Sequence, residues 1–167
     1  HVRALDAPGV ARTNLIDSSP IGINVRSTVA TYSGVLDDLR RAYAQTPDAR
    51  RLGYKTGDFS FNTGKLRCPT CEGTGQISLD VQFLPDVTIV CPDCHGRRYA
   101  PAADDVLRPP KPGPGAGEDE DAGALSLPSL LALTVDDALA RVADLPKVHA
   151  RLQVLRDLGL GYLTLGE

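Results

Sequence analysis

Methionine and tryptophan are absent from this 167-residue chain, and only three phenylalanines and five tyrosines are present. A core built from such material must be aliphatic, with few rings to anchor it. No stretch approaches the roughly 20 apolar residues of a membrane-spanning helix, and nothing resembles a secretory signal, so the expected setting is cytoplasmic, with no membrane partner. The Gly-x-x-x-x-Gly-Lys-Ser/Thr phosphate loop is missing as well, which leaves this chain no nucleotide cradle of that kind. The chain opens at His1-Val2-Arg3 without an initiating methionine and stops at Gly166-Glu167, as expected of a fragment of a larger protein. Ser18-Ser19 has no partnered histidine in sequence reach and reads as a turn. Asp136-Asp137 and Asp104-Asp105 are adjacent, point in different directions on a helix, and read as solvated.

Cysteine is scarce but patterned. The four cysteines form two pairs, Cys68-Pro-Thr-Cys71 and Cys91-Pro-Asp-Cys94, with nineteen residues between them. This spacing fits a tetrahedral metal site in which a β-hairpin brings two knuckles together. Gly73 and Gly96 each follow the second cysteine of a pair by two residues, where the backbone must turn with positive φ. Disulfides require an oxidising compartment. Cys91-x-x-Cys94-His95 is formally a haem-attachment string, but the sister knuckle has Glu72 in place of the histidine. A haem or a redox dithiol uses one pair and leaves the other idle, whereas one zinc ion accounts for both. Four thiolates fill the coordination sphere, so the ion is expected to be structural, with His95 a surface residue beside it.

The net charge of −3 is unevenly spread. Residues 37–67 hold seven Lys/Arg against four Asp, whereas residues 99–125 hold two basic and six acidic residues. The hairpin, 65–98, carries four of each sign, and four thiolates on a divalent ion add about −2. Any contact with nucleic acid must therefore come from the preceding basic segment or from edge arginines, which selects Lys55 and Arg98.

Four stretches separate along the chain. Residues 1–32 read as irregular or β-like, with a turn at Pro20-Ile21-Gly22. Ser33 is placed to cap a helix whose Val35, Leu36, Leu39 and Tyr43 share a face. Thr46-Pro47 starts a shorter helix that Gly53 ends. Asp58-Phe59-Ser60-Phe61-Asn62 alternates like a strand. Ile77, Leu79, Val81 and Phe83 mark a half-buried strand, and Val87, Ile89 and Val90 its return. The run 109–123, rich in proline, glycine and acid, reads as a mobile excursion. Thr134 and Asp137 form a capping box, and Pro146 opens a last helix lined by Val148, Leu152 and Leu155 that Gly159 stops. The fold class expected is α+β: a small helical domain from 1–64 and 126–167, a zinc module over 65–100, and an acidic flexible insertion over 101–125.

The order Ile16-Asp17-x-Ser19-Pro20-Ile21-Gly22, Arg26-Ser27, Ala30-Thr31-Tyr32-x-Gly34, Gly53-Tyr54 and Gly57-x-Phe59-Ser60-Phe61-Asn62 resembles the UvrA family. These are the damage-sensing ABC-type ATPases of bacterial nucleotide excision repair. Phe83-Leu84-Pro85-Asp86-Val87 and Gly96-x-Arg98-Tyr99 are similar to that family's zinc hairpin. The stretch from Leu152 to Gly166 is similar to the lead-in to its signature sequence. The resemblance covers nearly the whole chain except about 103–125, and it implies a portion of the second nucleotide-binding half, between phosphate loop and signature helix. It further implies DNA contact through Arg26, a damaged duplex as partner, other excision-repair subunits, a homodimer, and ATP with magnesium bound by the parent protein only. Two departures stand out. Ile23 replaces the first arginine of the family's Arg-Thr-Pro-Arg run. Ser18, beside Asp17, replaces a glutamine in the loop that senses the γ-phosphate, leaving a degenerate nucleotide-sensing loop. Both suggest a divergent paralogue of the kind associated with drug resistance. The Cys-x-x-Cys-x-Gly-x-Gly of 68–75 also resembles one repeat of the DnaJ cysteine-rich chaperone domain, and a free-standing zinc-ribbon interaction module is the third alternative.

Overall fold

Hydroxyls and prolines set where most of the helices start. The computed structural model describes Gly9 and residues 24–79, 87–110 and 123–167. The expected turn at 20–22, the Val81 and Phe83 part of the first hairpin strand, and most of the run 109–123 lie outside the described residues. Thr28, Thr46, Ser126 and Thr134 each accept a hydrogen bond from a first-turn amide, at Thr31, Ala49, Ser129 and Asp137. These caps open α1 (Val29–Tyr32), α3 (Pro47–Leu52), α4 (Leu127–Leu131) and α5 (Val135–Arg141). Pro146 begins α6 (Pro146–Asp157), the longest helix described. Gly53, at φ 74, ends α3, and Gly159, at φ 78, follows α6.

α2 (Leu36–Ala44) departs from expectation. Its N-cap is Val35, which makes no side-chain bond, and Ser33 instead donates its hydroxyl to the Val29 carbonyl at 2.8 Å. Thr28 and Thr31 cap each other reciprocally and start a one-turn helix earlier, so Ser33 is spent closing that turn. The strand expected over 58–62 is also absent. Thr56–Phe59 is a 3-10 turn, followed by further turns in which the Ser60 hydroxyl accepts from the amides of Asn62 and Thr63. Asp58 likewise accepts from the Lys55 amide at 2.8 Å. These local bonds satisfy the backbone without a partner strand. Phe59 and Phe61 are both buried, because the chain curls around them rather than presenting alternate faces.

Two antiparallel ribbons complete a mixed architecture. β1 (Gln76–Leu79) pairs with β2 (Val87–Val90) in the register Gln76↔Val90 to Leu79↔Val87. Ile77 is half-buried against the cysteines, but Leu79, Val87, Ile89 and Val90 are exposed, so the arms run clear of the core. β3 (Leu107–Arg108) and β4 (Leu125–Ser126) form a short rung after the 3-10 turn Pro101–Asp105. One aliphatic core gathers Leu39, Tyr43, Phe59, Leu127, Val135 and Leu152, together with Leu66 and Tyr99 from the segments flanking the hairpin. Tyr43 and Tyr99 donate their hydroxyls to the carbonyls of Leu125 and Phe59, each at 2.9 Å, which keeps their polar ends satisfied. Residues 164–167 are tied in by Ala30 N–H to the Leu165 carbonyl and Leu165 N–H to the Leu133 carbonyl. Among the described residues no helix is long and apolar enough to cross a membrane.

Candidate metal centre

The four cysteine sulfurs lie within 4.8 Å of one another, and all four residues are buried as a cluster separate from the main core. Cys68 and Cys91 sulfurs are 3.9 Å apart, and Cys71 and Cys94 sulfurs 3.6 Å. A tetrahedral ion with metal–sulfur bonds of about 2.3 Å places its ligands about 3.8 Å apart, so these spacings suit one ion. None of the cysteines is in a disulfide.

Each knuckle is shaped by backbone. Glu72 and Gly73 have φ of 50 and 79, and His95 and Gly96 have φ of 49 and 83, so both pairs make the same left-handed turn. The Gly75 amide points at the Cys71 sulfur at 3.2 Å. The strands entering and leaving are clasped by Cys68 N–H to the Arg98 carbonyl and Cys91 N–H to the Gly75 carbonyl. Thr70 and Asp93 join the two knuckles through their side chains.

Burial and the crowding of the sulfurs pull the thiols' titration in different directions. Burial raises the Cys71 thiol, yet the Gly75 and Gly73 amides and the neighbouring sulfurs overcome it and bring the pKa down to about 7. Cys94 is pushed up to about 12, chiefly by burial and further by the sulfurs around it. Burial also raises Cys68. Four adjacent thiolates cannot all form without a compensating charge, and a divalent ion supplies it as the protons leave.

Arginines occupy the back of the centre. Arg98, in a left-handed backbone conformation at φ 70, donates from one terminal nitrogen to the Val25 carbonyl at 2.7 Å and the Gly73 carbonyl at 3.4 Å. Its guanidinium lies 5.3 Å from the Phe61 ring centroid. Arg26 donates to the Glu72 carbonyl at 2.9 Å and to the Asn62 side chain at 3.3 Å. Two of the expected DNA-contacting residues are thus drawn together against the first knuckle, while Lys55 is exposed at the start of the Thr56–Phe59 turn. His95 is exposed beside the site. Asp17 and Ser18 lie outside the described residues. Phe61, Asn62 and Arg67 also meet here, and the sequence does not single them out as site residues. The only local signal is the Phe-x-Phe-Asn run, whose alternation reads as a strand.

A four-cysteine cluster clasped by backbone turns and carried on a hairpin beside a helical body is positioned to bind a metal ion. The comparisons place it in a family. The chain is 43% identical over 152 residues to the UvrABC system protein A of Streptococcus pyogenes serotype M3, covering 91% of this chain and 15% of that protein. It is 43% identical over the same length to that of Bacillus subtilis, covering 14% of it. The crystal structure of UvrA2 from Deinococcus radiodurans superposes with a TM-score of 0.74 at 39% identity, over 90% of this chain and 17% of that one. No family model matches the chain. The chain belongs to the UvrA family.

Proposed function

We propose that this chain is the zinc-bearing, DNA-contacting part of a damage-recognition ATPase acting in nucleotide excision repair. The observation that carries the reading is the convergence of four cysteine sulfurs within 4.8 Å in a chain 43% identical to UvrABC system protein A. Cys68, Cys71, Cys91 and Cys94 hold one structural zinc ion, which supplies the stability that a short exposed hairpin lacks on its own. Residues 1–64 and 126–167 form the helical body, 65–100 the metal module and 101–125 an insertion. Arg26, Lys55 and Arg98 line the face toward DNA. The full-length protein binds ATP and magnesium, dimerises, meets damaged duplex in the cytoplasm and passes it to the other excision-repair subunits. The chain's own chemistry is binding, with no catalytic step.

The test combines metal analysis with DNA binding. One zinc per chain is expected, with Cys91→Ser losing the ion and the heat stability that goes with it. Full-length protein is expected to prefer a duplex bearing a bulky adduct over the same duplex undamaged. Folded wild-type protein without stoichiometric metal, or without affinity for either duplex, would refute the proposal.

A further inference from the structure

Asn62 gathers two arginines from distant parts of the chain. Arg26 donates to its side-chain oxygen at 3.3 Å, and Arg67 donates to its main-chain carbonyl at 3.1 Å. Each uses a single terminal nitrogen for these bonds, leaving the second terminal nitrogen and Nε of both guanidiniums without a protein acceptor among the described residues. None of the ion pairs among the described residues includes either arginine. Two guanidiniums held on one neutral residue, with no carboxylate answering them among the described residues, are poised to take an anion.

The metal centre does not account for both. Arg98 is committed to the first knuckle, lying against Phe61 and donating to the Val25 and Gly73 carbonyls. Glu72 offers Arg26 its main-chain carbonyl, and its carboxylate makes no ion pair with it. Arg26 and Arg67 are partly exposed, at the base of the first knuckle.

We infer that Arg26 and Arg67, held together by Asn62, form a clamp for a backbone phosphate of the DNA duplex. Asn62 is a positioning residue: its two oxygens fix both guanidiniums while their remaining donors stay free, in the fork geometry that suits phosphate oxygens. The clamp reads no sequence; it sets where the duplex sits relative to the hairpin. This rests on the DNA-binding reading above and adds Arg67 and Asn62 to it.

Salt-dependent binding of full-length protein to a fluorescein-adduct duplex tests the clamp, with zinc content measured alongside. Each phosphate contact contributes about 0.9 to the slope of log affinity against log salt. Arg67→Ala should lower the slope by about 0.9, so its deficit against wild type shrinks about 3.5-fold between 50 and 200 mM salt. Arg67→Lys should keep the slope. Asn62→Asp, which places a carboxylate between the two guanidiniums, should likewise lower it by about 0.9, the full contribution of the one phosphate they clamp. Zinc should remain stoichiometric in all three. Wild-type slopes in Arg67→Ala and Asn62→Asp would overturn the clamp while leaving DNA binding intact, and loss of zinc at an unchanged slope would reassign Arg67 to the metal centre. Failure of the wild-type protein to bind the duplex would instead overturn the reading beneath it.

Discussion

Replacing Gly73 by alanine probes how tightly the metal module is seated. Gly73 has φ 79, and a Cβ built there would come within 2.8 Å of the Phe61 carbonyl carbon and overlap its oxygen. That neighbour is main chain of the buried residue Phe61, so it cannot swing aside as a side chain would. Gly53 is the natural control, since it has φ 74 and a Cβ there would meet nothing within 4 Å. Gly53→Ala should therefore cost only the left-handed strain of an L-residue, about 1–2 kcal/mol. Gly73→Ala carries the same strain and must also push the first knuckle off residues 59–62. That weakens the bonds of Arg98 to the Gly73 carbonyl and of Arg26 to the Glu72 carbonyl, along with the Arg98–Phe61 contact. Partial loss of two charged hydrogen bonds and one cation–π contact adds about 3 kcal/mol. Because metal binding and folding of the module are coupled, that excess should appear as roughly a hundredfold weaker zinc affinity. Denaturant unfolding of both variants, with zinc competition against a chelator, would measure the difference. Equal losses for the two, with zinc affinity unaltered in Gly73→Ala, would refute the close approach.

Two other outcomes follow from ion pairs in the body. Arg108 and Asp144 form a nearly buried pair, with side-chain exposures of 9% and 15%. Arg108→Met should destabilise by about 3 kcal/mol by stranding the carboxylate, and adding Asp144→Leu should recover much of it; a double variant worse than the single would contradict this. Asp104 accepts from Arg97 at 2.7 and 2.9 Å and from Ser126 at 2.6 Å. Burial raises its pKa, but these bonds outweigh it and hold the carboxyl below its ordinary value. Its contribution is therefore complete above the unfolded carboxylate value, near 4, and fades as pH falls through the lower folded value. Asp104→Asn should cost about 1 kcal/mol at neutral pH, since the pair is well exposed. The gap from wild type should close in acid, as read by urea unfolding across pH, and a gap that persists there would be against it.

Features legible in the sequence are those decided by bonds between near neighbours. Thr46-Pro47 through Gly53, Thr134 with Asp137, and Pro146 through Gly159 all mark observed helices, because caps act within one turn. The cysteine spacing likewise foretells the cluster, since a hairpin of that length returns the second pair to the first. Phe59 and Phe61 mislead because alternation only signals a strand when a partner strand exists, and Ser60 satisfies the backbone first. Ser33 misleads because Thr28 has already started a helix before it. The convergence of residues 26, 62, 67 and 98 has no local signature at all. It depends on Arg98 adopting a left-handed conformation that sequence patterns assign to glycine.

The two-residue rung of β3 and β4 pairs Leu107 with Ser126 and Arg108 with Leu125. The rung therefore holds residues 108 and 125 side by side, although they are well separated in the chain. Lengthening the sequence between two ends paired in this way is cheap, about 0.6 kcal/mol for each doubling. The same pairing makes this a natural place to splice in a fluorophore or an affinity handle, outside the span from Cys68 to Cys94 that carries the thiols.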